Sequence, residues 1–210
     1  MKKLTLTLTM LASSAVAFAQ QEPASETLLK NQVRVSGWFV ELPFTHAEIN
    51  KEHLFMTGLS GGIIINEKLR LGLAGRGYNS PFNRVELDQA DEGKGGFLQG
   101  RELGLHVEPV IESNKLMHFT FPVIIGAGQS EITTKEKYLN SDNEMKRKQL
   151  DHHDYFMIKP SAQVEFNLHK NFRVGAGVGY RFTSNSKMAG LSDDALRGIS
   201  TNISVKIGKF

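Results

Sequence analysis

The chain has no cysteine among its 210 residues. That absence excludes disulfides, thiolate metal ligands, cysteine nucleophiles and the lipid-bearing cysteine of a bacterial lipoprotein. Tryptophan occurs once and proline six times. Beyond the first twenty residues, no stretch reaches the roughly 18 uninterrupted apolar residues of a membrane-spanning helix. Strands of a membrane barrel escape that test, because only alternate residues face lipid. An excess of one charge is missing too: 25 Lys and Arg stand against 22 Asp and Glu, for a formal net charge of +3. No basic stripe interleaved with aromatics occurs, so nucleic acid is not an expected partner.

What is there begins with an export signal. Met1-Lys2-Lys3 is positive, Leu4 to Val16 is apolar and uncharged, and Ala17-Phe18-Ala19 is a small-x-small cleavage site. Residues 1–19 therefore read as a cleaved signal peptide. The apolar run is too short and too rich in Thr for a membrane anchor. Loss of Lys2 and Lys3 lowers the formal charge of +3 by two, leaving a mature chain near neutrality. A polar segment, 20–31, precedes a single domain, 32–210.

That domain alternates. In 101–111, Leu103, Leu105, Val107 and Ile111 oppose Glu102, Gly104, His106 and Glu108. In 156–168, Phe156, Ile158, Ala162, Val164, Phe166 and Leu168 oppose Met157, Lys159, Ser161, Gln163, Glu165 and Asn167. In 172–182, six apolar residues oppose Arg173, Gly175, Gly177, Gly179 and Arg181. In 199–207, Ile199, Ile203, Val205 and Ile207 oppose Ser200, Asn202, Ser204 and Lys206. Period two with one apolar face is the mark of a strand. Less regular runs cover 33–42, 54–65, 69–78 and 117–128. Eight strands result, most near the roughly 9–11 residues that cross a bilayer at a tilt.

The links alternate in length. Asn66-Glu67-Lys68, Asn114-Lys115 and His169-Lys170-Asn171 are tight; 43–53, 79–100, 129–155 and 183–198 are long. Short periplasmic turns and longer external loops are the asymmetry of an outer-membrane barrel. A sheet in hydrocarbon has to close, because its edge amides would otherwise lack partners. The expected fold is thus all-β: a closed antiparallel up-and-down barrel of about eight strands. Its interior would be filled by side chains rather than open as a pore. Pro109, Pro122 and Pro160 fall inside strand runs and predict bulges or strand ends. Trp38, Tyr78, Tyr155 and Tyr180 fall near strand ends or loop junctions, where an interfacial girdle would place them, while ordinary core packing explains single cases equally well. Phe210 ends the chain as barrel proteins often do, but Lys206 and Gly208 share its parity.

Several segments resemble a family of small Bacteroidota outer-membrane β-barrel proteins of uncharacterised function. They are Ser60 to Asn66, Asn114 to His118, Ile125 to Gly128, Gly179 to Phe182 and Lys206 to Phe210. The resemblance, from about residue 33 onward, implies a signal peptide, a small barrel and the outer membrane. It implies no catalytic residues.

Motifs of chemistry are weak. Gly58-Leu59-Ser60-Gly61-Gly62 fits the nucleophile elbow in letters, but no helix follows to form its strand-to-helix turn. Glycine-rich pairs such as Gly126 and Gly128 lack the helix that would receive phosphates. His152-His153-Asp154 sits at the end of a loop whose polar part, 135–149, admits a short helix. Alone these neighbours do not build a tetrahedral metal site. The polar strand faces collect Glu102, His106, Glu108, His118, Lys159, Gln163, Glu165, Arg173 and Arg181. In a membrane barrel these must turn inward, since a cation facing lipid at mid-depth costs about 2–4 kcal/mol. Glu102, His106, Glu108, Lys159, Glu165 and Arg181 are the candidate lumen binding cluster, with a salt-bridged structural plug the simpler reading. Gly175, Gly177 and Gly179 would make room for long inward side chains.

No catalytic residue, metal or cofactor is expected. The expected protein is a monomeric, non-enzymatic outer-membrane barrel with a structural or surface-interaction role. Its partners would be outer-membrane lipid and an unidentified surface or envelope protein. Two alternatives remain. One is an enzyme acting on lipid or peptide through His152, His153 and Asp154 with a loop serine such as Ser141. The other is a soluble periplasmic ligand-binding barrel, whose apolar rows would point inward.

Overall fold

The computed structural model describes residues 33–49, 52–78, 84–85, 96–139, 145–184 and 196–210. The expected signal peptide and the polar segment 20–31 lie outside the described residues. The strands are β1 (Val35–Ile49), β2 (Glu52–Ile65), β3 (Leu69–Tyr78), β4 (Arg84–Val85), β5 (Gly96–Ile111), β6 (Met117–Thr120), β7 (Val123–Leu139), β8 (Met145–His169), β9 (Phe172–Thr183) and β10 (Gly198–Lys209). β4 is a two-residue addition to the end of β5. β6 and β7 are two pieces of one barrel strand, both lying between β5 and β8.

Eight staves therefore form an antiparallel meander, and the first pairs with the last. β1 meets β10 from Trp38↔Lys209 to Ala47↔Ser200. This closure leaves the sheet without a free edge. The tight turns follow from local chemistry. Asn66 and Glu67 both have positive φ, 51° and 60°. The Lys68 amide donates to the Ile65 carbonyl at 3.0 Å. Two left-handed residues inside such a bond make a type I′ turn, whose twist matches that of the paired strands. The Asn66 side chain then accepts from the Arg34 amide at 2.9 Å.

Several expectations change. β1 continues through Pro43 to residue 49, and β7 and β8 reach residues 139 and 145. Much of the links 43–53 and 129–155 is thus paired strand, and 135–139 and 145–149 are extended rather than helical. Polar side chains tolerate strand pairing where water solvates them, so alternation of hydropathy fades there while the ladder continues. The prolines cause no bulge. Pairings on either side of Pro109, Pro122 and Pro160 keep one register. Each proline removes only its own donor; Pro109 and Pro122 still accept from Phe121 and Ser161 at 3.0 and 2.8 Å. Pro122 alone breaks its strand, between β6 and β7.

The two faces differ completely. Outward rows carry Leu103 at 67% exposure, Phe156 at 76% and Ile203 at 62%. On β9 every outward residue from Phe172 to Phe182 is apolar. At about 3.3 Å per residue those eleven positions cover about 33 Å of strand, or about 25 Å of height at a tilt near 40°. Inward rows are ionic, with Arg70, Glu108, Glu165 and Lys206 buried. Of the two readings open for these aromatics, Tyr78 and Tyr155 follow core packing and are buried, whereas Trp38 and Tyr180 are exposed. Glycine permits this. A Cβ at Gly100 would lie 2.6 Å from Tyr78 Cζ, and one at Gly128 would lie 2.5 Å from Tyr155 Cζ.

Candidate functional site: the charged lumen

Strand pairing brings side chains distant in sequence onto one enclosed surface. At the short-turn end, β3 supplies Arg70, β5 supplies His106 and Glu108, β8 supplies Glu165, and β10 supplies Lys206. Arg70 grips Glu165 with both terminal nitrogens, at 2.6 and 2.9 Å, and reaches Glu108 at 2.9 Å. Lys206 Nζ bridges the same two carboxylates at 2.5 and 2.7 Å. His106 Nε2 lies 3.0 Å from Glu108, and His118 Nε2 lies 3.0 Å from Glu165. Arg173 Nη1 donates to Glu165 at 3.2 Å. Glu41 stands farther off, 3.8 Å from both Lys206 and His106. Three cations thus meet three carboxylates. Such multiply bonded pairs satisfy the condition under which buried ions persist.

Phe210 closes this end. Its ring lies under the Arg173 guanidinium, 3.9 Å from the ring centre, with Arg70 at 5.3 Å. Its inward parity, shared with Lys206 and Gly208, now has a cause: the terminal aromatic covers the ion network by cation–π contact.

The other half of the lumen is organised differently. Glu102 accepts from Arg181 Nη1 at 3.0 Å and from the Tyr155 hydroxyl at 2.9 Å. Tyr78 and Tyr155 hydroxyls lie 3.3 Å apart, and Tyr78 also bonds Ser130. Arg181 Nε donates to the Leu196 carbonyl at 2.5 Å. Arg76 and Lys159 also face inward, and Arg76 Nε and Nη1 are buried without a hydrogen-bond partner.

All six sequence candidates, Glu102, His106, Glu108, Lys159, Glu165 and Arg181, are buried inside. They do not form one site. His106, Glu108 and Glu165 belong to the first network, Glu102 and Arg181 to the second, and Lys159 makes no ion pair with any of them. Sequence reading missed Glu41, Arg70 and Arg76 and did not count Lys206 as a member. Their signal was present: Leu69, Leu71 and Leu73 alternate with Arg70, Gly72 and Ala74. Gly177 acts as expected of the β9 glycines, since a Cβ there would lie 2.6 Å from Gln163 Cγ.

The other motifs resolve plainly. Ser60 is an inward residue in the middle of β2, paired with Ala74 on β3, and no turn or base accompanies it. His152, His153 and Asp154 belong to β8, opposite Glu131, Ser130 and Gln129. Adjacent strand residues alternate in direction, so they do not converge. Ser141 lies outside the described residues. Among the described residues no group of three or more His, Asp or Glu is placed to hold a metal ion.

No family model matches the chain, and no curated protein matches its sequence. Solved structures do. The chain is similar to Neisserial surface protein A at 12% identity, over 83% of this chain and 96% of that one, with a TM-score of 0.50. It is also similar to Ail, the attachment invasion locus protein of Yersinia pestis, at 12% identity, over 84% and 100%, with a TM-score of 0.45. A further structure of the Yersinia protein, described there as an outer membrane protein, was determined in a phospholipid bilayer nanodisc. The likeness to the neisserial protein establishes the fold: this chain is a closed antiparallel up-and-down β-barrel of eight strands.

Proposed function

We propose that this protein resides in the bacterial outer membrane as a small non-enzymatic barrel with a structural or surface-interaction role, delivered by the cleaved signal 1–19. One observation carries the reading: from Phe172 to Phe182, and on the matching rows of the other staves, the outward face holds no ionic side chain. A soluble barrel so constructed would expose apolar area far beyond the few hundred Å² that monomers tolerate. The belt ends where Arg101, Gln129 and Asp154 lie side by side on β5, β7 and β8.

The tight turns face the periplasm in this reading, and the extended β7–β8 hairpin faces outside. An exposed hairpin suits a surface contact, and the name of the neisserial protein also speaks of the surface. The sequence segments quoted above add the Bacteroidota resemblance. Lipid is the partner of the belt. The chain needs no second copy to close its sheet, which favours a monomer. A soluble ligand-binding barrel is disfavoured because its apolar rows would point inward.

Fractionation of cells expressing the full chain tests the reading. Recovery in the outer membrane, with heat-modifiable gel mobility in detergent, is expected. Recovery in the soluble periplasmic fraction contradicts it.

A further inference from the structure

The charges on the outside of the barrel are not shared evenly between its ends. At the short-turn end, Arg34, Lys68, Lys115, Lys170 and Lys209 are all exposed. Each of the three tight turns carries one, Lys68, Lys115 or Lys170. Arg34 precedes β1 and Lys209 ends β10. Against them stand the exposed Glu67 and Glu112 and the terminal carboxylate of Phe210. Five cations thus meet three carboxylates, and two positive charges are in surplus. Of the five, only Lys115 has an ion pair among the described residues, with Glu112 at 2.6 Å. At the far margin of the belt, Arg101 shares its level with Gln129, Glu131 and Asp154, and no such surplus forms among the described side chains.

Position says as much as sign. Four of the cations stand within two residues of an exposed apolar side chain of the belt. Arg34 adjoins Val35, Lys115 adjoins Leu116, Lys170 follows Leu168 and Lys209 follows Ile207. Trp38, itself exposed, pairs with Lys209 in the ladder. Long alkyl stems at that height stay against apolar surface while the charged head reaches the headgroup plane. The cations also lie around the whole circumference, on both chain ends and on every tight turn between them. A protein partner would need one contiguous face. Lipid surrounds a barrel on all sides.

We propose that this end of the barrel is a basic collar that binds negatively charged phospholipids, its cations pairing with the headgroup phosphates of the leaflet around the tight turns. The proposal rests on the outer-membrane reading above and adds to it a lipid class and a leaflet. Each Lys or Arg beside an anionic membrane surface strengthens the attraction roughly fivefold, and salt screens it.

The test uses the full barrel reconstituted in vesicles of phosphatidylcholine alone and of phosphatidylcholine mixed with phosphatidylglycerol. Urea unfolding is followed at low and at high sodium chloride. The midpoint should rise with the phosphatidylglycerol fraction at low salt and lose most of that rise at high salt. A triple variant, Lys68→Gln, Lys170→Gln and Lys209→Gln, changes only exposed side chains. It should match wild type in phosphatidylcholine and lose most of the rise. Arg101→Gln, at the other margin, should keep it. A midpoint indifferent to phosphatidylglycerol, a rise untouched by the triple variant, or an equal loss in Arg101→Gln would overturn the collar. Insertion into both kinds of vesicle without a preference overturns the collar alone; insertion into neither overturns the outer-membrane reading with it.

Discussion

The two halves of the lumen are built from the same residue types to opposite ends. At the short-turn end, Arg70, Lys206 and Arg173 converge on Glu165, and every ion has an answering charge. At the other end, Glu102 serves Arg181 while Arg76 and Lys159 stand without hydrogen-bonded partners. Burial and sign alone therefore do not define a plug. What distinguishes the halves is geometry: bidentate, multiply shared bonds in one, and buried cationic side chains without hydrogen-bonded partners in the other.

The largest way to break the comparison is Glu165→Gln. It leaves three cations facing two carboxylates, with Arg173 losing its ion pair, and should cost about 3–5 kcal/mol, read from urea unfolding in detergent. A loss under 1 kcal/mol would mean that the inner network is not the keystone drawn here. Next is Val178→Arg, at mid-height on the lipid side of β9. In vesicles it should cost about 2–4 kcal/mol. Phe210→Ala removes the aromatic cover over Arg173 and should cost roughly 0.5–2 kcal/mol, with the barrel still folded. Smallest is Lys159→Met. Deleting an unpaired buried cation should leave stability within about 1 kcal/mol of wild type or raise it. Similar costs for Glu165→Gln and Lys159→Met would erase the distinction between the halves.

Much of this architecture was legible in the sequence, for physical reasons. Four staves alternate cleanly because one face is exposed and apolar and the other encloses charge, and the first tight link carries Asn66, a residue that tolerates a left-handed turn. The ends of the staves were not legible. Beyond the apolar belt the alternation of hydropathy stops while the ladder continues, so β7 and β8 run on through residues read as loop. Pro43 also looked like a stop, yet it pairs with Ser204 within β1. The site was legible as a set of inward charges, but not as two networks. Which charges meet depends on register around the ring: Arg70 is 95 residues from Glu165, and Lys206 is 98 from Glu108. Tyr78 and Tyr155 could not be assigned between girdle and core, because the glycines opposite them, Gly100 and Gly128, create inward space that hydropathy does not reveal.

The claim beneath all of this is that the apolar rows touch lipid and the ionic rows are enclosed. The chain has no cysteine, so single substitutions report cleanly. Cysteines at 202, 203, 204, 205 and 207, labelled with an environment-sensitive fluorophore in vesicles containing brominated lipid, give the direct reading. Strong quenching at 203, 205 and 207 with little at 202 and 204 is the predicted alternation. Quenching at 202 and 204 instead, or at none of the five, would contradict it.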